Sequence, residues 1–179
     1  MPTLRIAILE CDTPLDKVRN KYGTYGDIFT ELLKHGSEEL TSEGEEVKVE
    51  CSSYDVVDKQ EYPEDLEKFT REILESQSRI RVLGICFGHQ IVGRALGAKV
   101  ARGEQGWEVS VTPLELTSLG KDIFGVDTLF NREMVTHILT ARHDADVFND
   151  EIYKDGIKRV GDTHGGAVIA KAFLRFLLQ

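Results

Sequence analysis

The apolar positions of this chain fall into short runs separated by amphipathic stretches, and their alternation predicts the architecture. Leu4 to Leu9 is a β-rich run without polar alternation, which suits a strand of a parallel sheet covered on both faces. A helix is expected from about Tyr25 to Lys34, with Gly36 as its stop. Val47 to Cys51 alternates as a second strand, and Pro63 opens an acidic-first helix running toward Ser76. Ile80 to Ile85 is a third apolar strand, followed by a helix over His89 to Leu96. Beyond it, Lys99-Val100 and Trp107 to Thr112 are expected as strands, while Glu133 to Arg142 and Ala167 to Leu178 space their apolar residues helically. Strands alternating with helices predict an α/β fold with a doubly wound, mostly parallel sheet and helices on both faces. Residues 1–179 are expected to form a single domain.

One junction in this pattern carries chemistry. The third strand runs into Gly84-Ile85-Cys86-Phe87-Gly88, and a helix begins behind it. That is the local design of a nucleophile elbow, in which Gly84 and Gly88 allow close backbone approach and the residue between them stands exposed at the carboxyl end of the sheet. A thiol placed there sits at a helix N-terminus, whose unpaired N–H groups favour the thiolate. The N–H of Phe87 would point to where an oxyanion develops.

Composition narrows the function classes. With 41% hydrophobic and 30% charged residues, the chain is ordinary for a globular protein able to bury a good core. Its net charge of −9 arises partly from solvated acidic stretches such as Glu43 to Glu46 and Glu61 to Glu67. No basic stripe is present, so neither nucleic acid nor a membrane is expected as a partner. Cys11, Cys51 and Cys86 are widely spaced and odd in number, which fits neither a disulfide framework nor a zinc site. No metal or cofactor is expected, and the cysteine usage suits a reducing cytoplasmic or nuclear setting. His35 and His137 read as structural or surface residues. His164-Gly165-Gly166 lacks the rest of a phosphate loop and reads as the start of a helix.

The segment from Gly84 through Cys86, Phe87, Gly88, His89 and Gln90 to Val100 resembles the nucleophile segment of class I glutamine amidotransferase domains. Gly103 to Val109 resembles the strand after the elbow helix in stand-alone members. Tyr22 to Phe29 resembles their first-helix start, and Lys171 to Leu178 their C-terminal helix. The subgroup includes fungal amidotransferase-like proteins and, more distantly, plant γ-glutamyl peptidases. The resemblance implies a flavodoxin-like domain that hydrolyses the glutamine side-chain amide through a thioester on Cys86. It also implies an oxyanion N–H from Phe87 and contact of Gln90 with the amino-acid end of the substrate. His89 is then not the base; beside Gln90, it helps shape the turn. Glutamine or a γ-glutamyl small molecule is the expected partner, with no synthetase domain attached and an unidentified acceptor for the ammonia.

The chain departs from the family pattern at two places. Between Cys51 and Ile80 it lacks a strand and the glycine-rich loop that would donate a second oxyanion N–H. Phe130-Asn131-Arg132-Glu133 matches the stretch just after the family's His-Pro-Glu segment, but those three residues and several strands before Phe130 are absent. The resemblance resumes cleanly on both sides of each deficit, and losing central strands would leave an exposed sheet edge. The expectation is therefore an interrupted peptide link within 64–70 and within 124–131, with Cα separations well above ~3.8 Å. A continuous chain would point instead to a non-catalytic binding or regulatory domain, because missing an oxyanion donor alone lowers the rate at least ~10²-fold.

Overall fold

The computed structural model of the protein describes residues 2–57, 66–76, 79–102, 114–126, 128–129, 139–140, 142–144, 149–160 and 165–179. Strand β1 (Thr3–Glu10) pairs in parallel with β2 (Lys48–Asp55), in register from Thr3 opposite Lys48 to Glu10 opposite Asp55. Between them lie helices α1 (Asp16–Tyr22) and α2 (Tyr25–Ser42), so the crossover is a β-helix-β unit. Helices α3 (Leu66–Ser76) and α4 (Phe87–Ala95) follow, then a short antiparallel pairing of β3 (Leu114–Glu115) with β4 (Thr128–Leu129) around α5 (Ser118–Phe124). Helices α6 (Asp150–Arg159) and α7 (Gly166–Leu178) close the described chain.

Helix α2 organises the core. Its start is set by a capping box: Thr24 Oγ1 accepts from the Asp27 N–H at 3.3 Å while the Thr24 N–H donates to Asp27 Oδ2 at 2.8 Å. From there α2 packs on β1 and β2 with one side and on α7 with another. Leu33, Leu40, Val47 and Leu174 form the buried cluster, flanked by Leu4, Ile6, Val49, Cys51 and Phe173. Each fully buried leucine contributes roughly 1.5–3 kcal/mol. A second tie runs from α3 to α4, where Arg71 Nη2 donates to the Arg94 carbonyl at 3.4 Å.

Several sequence expectations change here. Helix α2 does not stop at Gly36 but continues to Ser42. Gly36 is buried against α7, and a Cβ there would sit 2.7 Å from Ala170 Cβ, so the missing side chain serves helix approach and not termination. Strand β2 extends four residues past Cys51, to Asp55, because β1 offers a ladder partner along its full length. Ile80 to Ile85 is not a strand: it joins no ladder among the described residues, and Ile80 and Ile85 are exposed. An apolar run favours extended backbone but cannot supply the neighbouring strand that defines a sheet. Lys99-Val100 is also not a strand. The C-terminal turn of α4, with Gly97 at φ 80° and the Ala98 N–H bonded to the Gly93 carbonyl at 2.8 Å, folds Val100 back toward Gly93.

The other expectations hold or fall on residues outside the described set. Helix α3 begins at Leu66, while Pro63 lies outside the described residues. Residues 107–112, most of 133–142 including His137, and His164 lie outside them too, although 139–140 and 142 are helical. Leu66 to Thr70 belongs to α3, so no interruption falls there; residues 64, 65, 127, 130 and 131 are outside the described set.

Candidate active site

The turn before α4 holds its cysteine in a conformation that most side chains avoid. Cys86 is the N-cap residue of α4, with φ 52° and ψ −113°. No other non-glycine residue among those described has a positive φ. Such backbone costs of order 1–3 kcal/mol and is held by its surroundings. Gly84 supplies part of that hold. A Cβ at Gly84 would lie 2.8 Å from both the Gly88 carbonyl oxygen and His89 Cα, so only glycine fits. Gly88 differs from expectation: a Cβ there would meet nothing within 4 Å. Close approach at this turn is therefore a property of Gly84, because the Gly88 side of the helix faces open space.

The first turn of α4 then arranges its N–H groups. Gly88 N–H donates to the Ile85 carbonyl at 2.9 Å, while His89 and Gln90 N–H donate to the Cys86 carbonyl at 3.1 and 3.4 Å. The N–H of Phe87 takes no protein partner among the described residues, as expected for the first position of a helix. Cys86, Phe87, His89 and Gln90 are exposed, with Gln90 one turn along from Cys86. The other two cysteines are half-buried. Burial pushes both the Cys11 and Cys51 thiols up, and Cys11 Sγ donates to the Leu9 carbonyl at 3.4 Å.

Residues that sequence reasoning did not single out line the strand ends next to the start of α2. Burial raises the Tyr25 phenol, the charge of Asp12 raises it further, and Arg142 lowers it. Asp12 follows β1 and, with Glu10, Arg19, Thr24 and Asp55, lines a small cavity at the carboxyl ends of β1 and β2. Their sequence separations offered no local signal. His143 was also missed: its Nε2 lies 2.9 Å from Asp150 Oδ1, and its ring stacks on Tyr153 at 4.2 Å. That hydrogen bond holds the Asp150 carboxyl below its usual range. His35 is an exposed residue beside Glu38 and Glu39, in line with its surface reading. No group of three or more metal-capable side chains occurs among the described residues, and none of their helices is long and apolar enough to cross a membrane.

Comparison with known proteins adds the ancestry of this arrangement. The profile of the family described as glutamine amidotransferase class-I matches residues 57–173. A glutamine amidotransferase-like protein of Schizosaccharomyces pombe is 32% identical over 67% of this chain and 58% of its own length. A Saccharomyces cerevisiae protein named for the same family is 41% identical over 44% of this chain and 32% of its own length. Gamma-glutamyl peptidase 4 of Arabidopsis thaliana is 30% identical over 65% of this chain and 53% of its own length. The chain thus spans about half the length of the first of these relatives. No solved structure matches it significantly. With a matching profile over most of its length and an α/β fold of the expected flavodoxin-like kind, the chain belongs to the class I glutamine amidotransferase family.

Proposed function

We infer that the protein is a cysteine-dependent hydrolase of the glutamine side-chain amide, with Cys86 as nucleophile. The observation that carries this reading is the exposed Cys86 at φ 52°, ahead of an N–H at Phe87 with no protein partner among the described residues. The Cys86 sulfur attacks the amide carbonyl, and the oxyanion that forms faces the Phe87 N–H. A general acid, which the family resemblance makes a histidine, protonates the departing nitrogen so that ammonia leaves and a thioester remains. Water then cleaves the thioester, releasing glutamate and restoring the thiol. Gln90, one turn further on, contacts the amino-acid end of the substrate.

The likeness to a γ-glutamyl peptidase supports a second substrate for the same steps, in which an amino acid or peptide leaves in place of ammonia. Glutamate release from glutamine and from glutathione separates the two. Loss of at least ~10³-fold in Cys86→Ser is expected with the preferred substrate. Undiminished release in that variant sinks the nucleophile assignment, and no release from either substrate by the unaltered chain favours a binding or regulatory role.

A further inference from the structure

Strand β2 has a second edge, and the direction of its backbone groups sets what that edge can do. The Lys48 N–H donates to the Pro2 carbonyl at 3.0 Å and the Val56 N–H to the Glu10 carbonyl at 3.3 Å. The parallel register runs unbroken between them, so Lys48, Glu50, Ser52 and Tyr54 turn their N–H and C=O groups toward β1. Val49, Cys51 and Ser53 therefore present theirs on the opposite edge, where no strand pairs with β2 among the described residues. The Val47 carbonyl accepts from Ser37 Oγ of α2 at 2.6 Å. Beside this end of β2 runs a groove of about 400 Å³, lined by Lys34, Ser37 and Glu38 of α2 and by Val47 to Val49. Helix α2 thus leaves room next to the strand. Lys48 and Glu50 are exposed on the sheet face away from α2, with Lys48 Nζ 2.7 Å from Glu50 Oε1.

We propose that this edge pairs with a second copy of the chain, β2 against β2 antiparallel, about a two-fold axis at Val49. A free edge strand is a template for another chain unless a proline, a bulge or repelling charges blunt it. β2 contains no proline, and its register shows no bulge. Its charges choose the axis. At Val49, Lys48 stands opposite the partner's Glu50 and Glu50 opposite the partner's Lys48, so the four charges alternate in sign around the axis. Moving the axis one residue either way sets Glu50 against Glu50 or Lys48 against Lys48. With the axis at Val49 the outward backbone groups also meet: Val49 exchanges hydrogen bonds with the partner's Val49, and Cys51 with the partner's Val47. The Val47 carbonyl keeps its Ser37 bond on one lone pair and accepts the partner's Cys51 N–H on the other. Two β1–β2 pairs then form one continuous sheet of four strands.

Sedimentation of the full chain over a range of concentrations tests the pairing, together with a charge swap. The unaltered chain is expected to pass from monomer to dimer as concentration rises. Lys48→Glu and Glu50→Lys, which each set like charges opposite one another twice, weaken the dimer about tenfold, and the double variant Lys48→Glu/Glu50→Lys returns it to within about threefold of the unaltered chain. Residue-resolved amide exchange on the unaltered chain reads the register without any substitution. The Val49 and Cys51 N–H groups gain protection as the dimer forms, the Ser53 N–H does not, and those of Glu50 and Ser52, bonded to β1, are protected at every concentration. A chain that stays monomeric up to about 1 mM overturns the proposal. So does a dimer that both single variants leave unchanged, a double variant no better than the weaker single one, or a dimer in which the Val49 and Cys51 N–H groups gain no protection.

Discussion

Cys86 shows how much one residue's backbone can say about its use. A cysteine at φ 52° gains nothing in packing, since its side chain is exposed, and the nucleophile role proposed for it gives the strain a reason. Cys86→Gly should therefore raise stability by about 1 kcal/mol while abolishing thiol chemistry at the turn, as denaturant melts and labelling would show. The two elbow glycines should separate under the same scrutiny. Gly84→Ala, facing backbone at 2.8 Å, should lower turnover at least ~10-fold, while Gly88→Ala, facing open space on a helix, should stabilise by ~0.5–1 kcal/mol. Equal tolerance at both positions would show that the turn can relax. Mass mapping after brief alkylation should find Cys86 modified well before Cys11 and Cys51, whose thiols burial pushes up. At this scale the sequence was informative, because Gly-x-Cys-x-Gly before a helix constrains local backbone. It did not distinguish Gly84 from Gly88, whose difference depends on which side of the turn the helix covers.

Among elements, the contact of α2 with α7 is the best defined. Gly36 lets α7 approach, so Gly36→Ala should destabilise by ~1–3 kcal/mol through overpacking, despite a helix-propensity gain of about 1 kcal/mol. Ala170→Gly added to it should restore part of the melting temperature; a more stable Gly36→Ala single variant would refute the packing account. Along the same contact, Lys171 Nζ lies 2.6 Å from Glu43 Oε1, and Arg175 Nη2 lies 2.9 Å from Glu43 Oε2 and 2.6 Å from Glu45 Oε1. The Lys171 hydrogen bond, then the charges of Lys171 and Arg175, hold the Glu43 carboxyl below its usual value, against some desolvation. With the folded pKa lowered, this contribution is complete above the unfolded value of about 4.5 and is lost as pH falls through the folded one. The melting difference between the unaltered chain and Glu43→Gln should accordingly be small at pH 7, vanish on acidification and shrink in high salt. A difference that grows in acid would reverse the sign of the linkage.

Over the whole molecule, one apolar cluster joins β1, β2, α2 and α7, elements separated by most of the chain. Leu174→Ala, at a position with 0% exposure, should cost ~2–5 kcal/mol and lower the urea midpoint of strand and helix signals together. Separate transitions would mean that α7 docks as an independent unit. The sequence by itself determined the α/β class, the positions of β1 and α7 and the elbow at Cys86. Each of these comes from short-range pattern: apolar periodicity within a segment and glycine spacing around one turn. Only the tertiary structure decided that α2 runs through Gly36, that Ile80 to Ile85 joins no ladder among the described residues, and that Glu10, Asp12, Thr24 and Asp55 line one cavity. Those outcomes depend on what a segment packs against, and a partner supplied by a distant part of the chain leaves no mark on local periodicity.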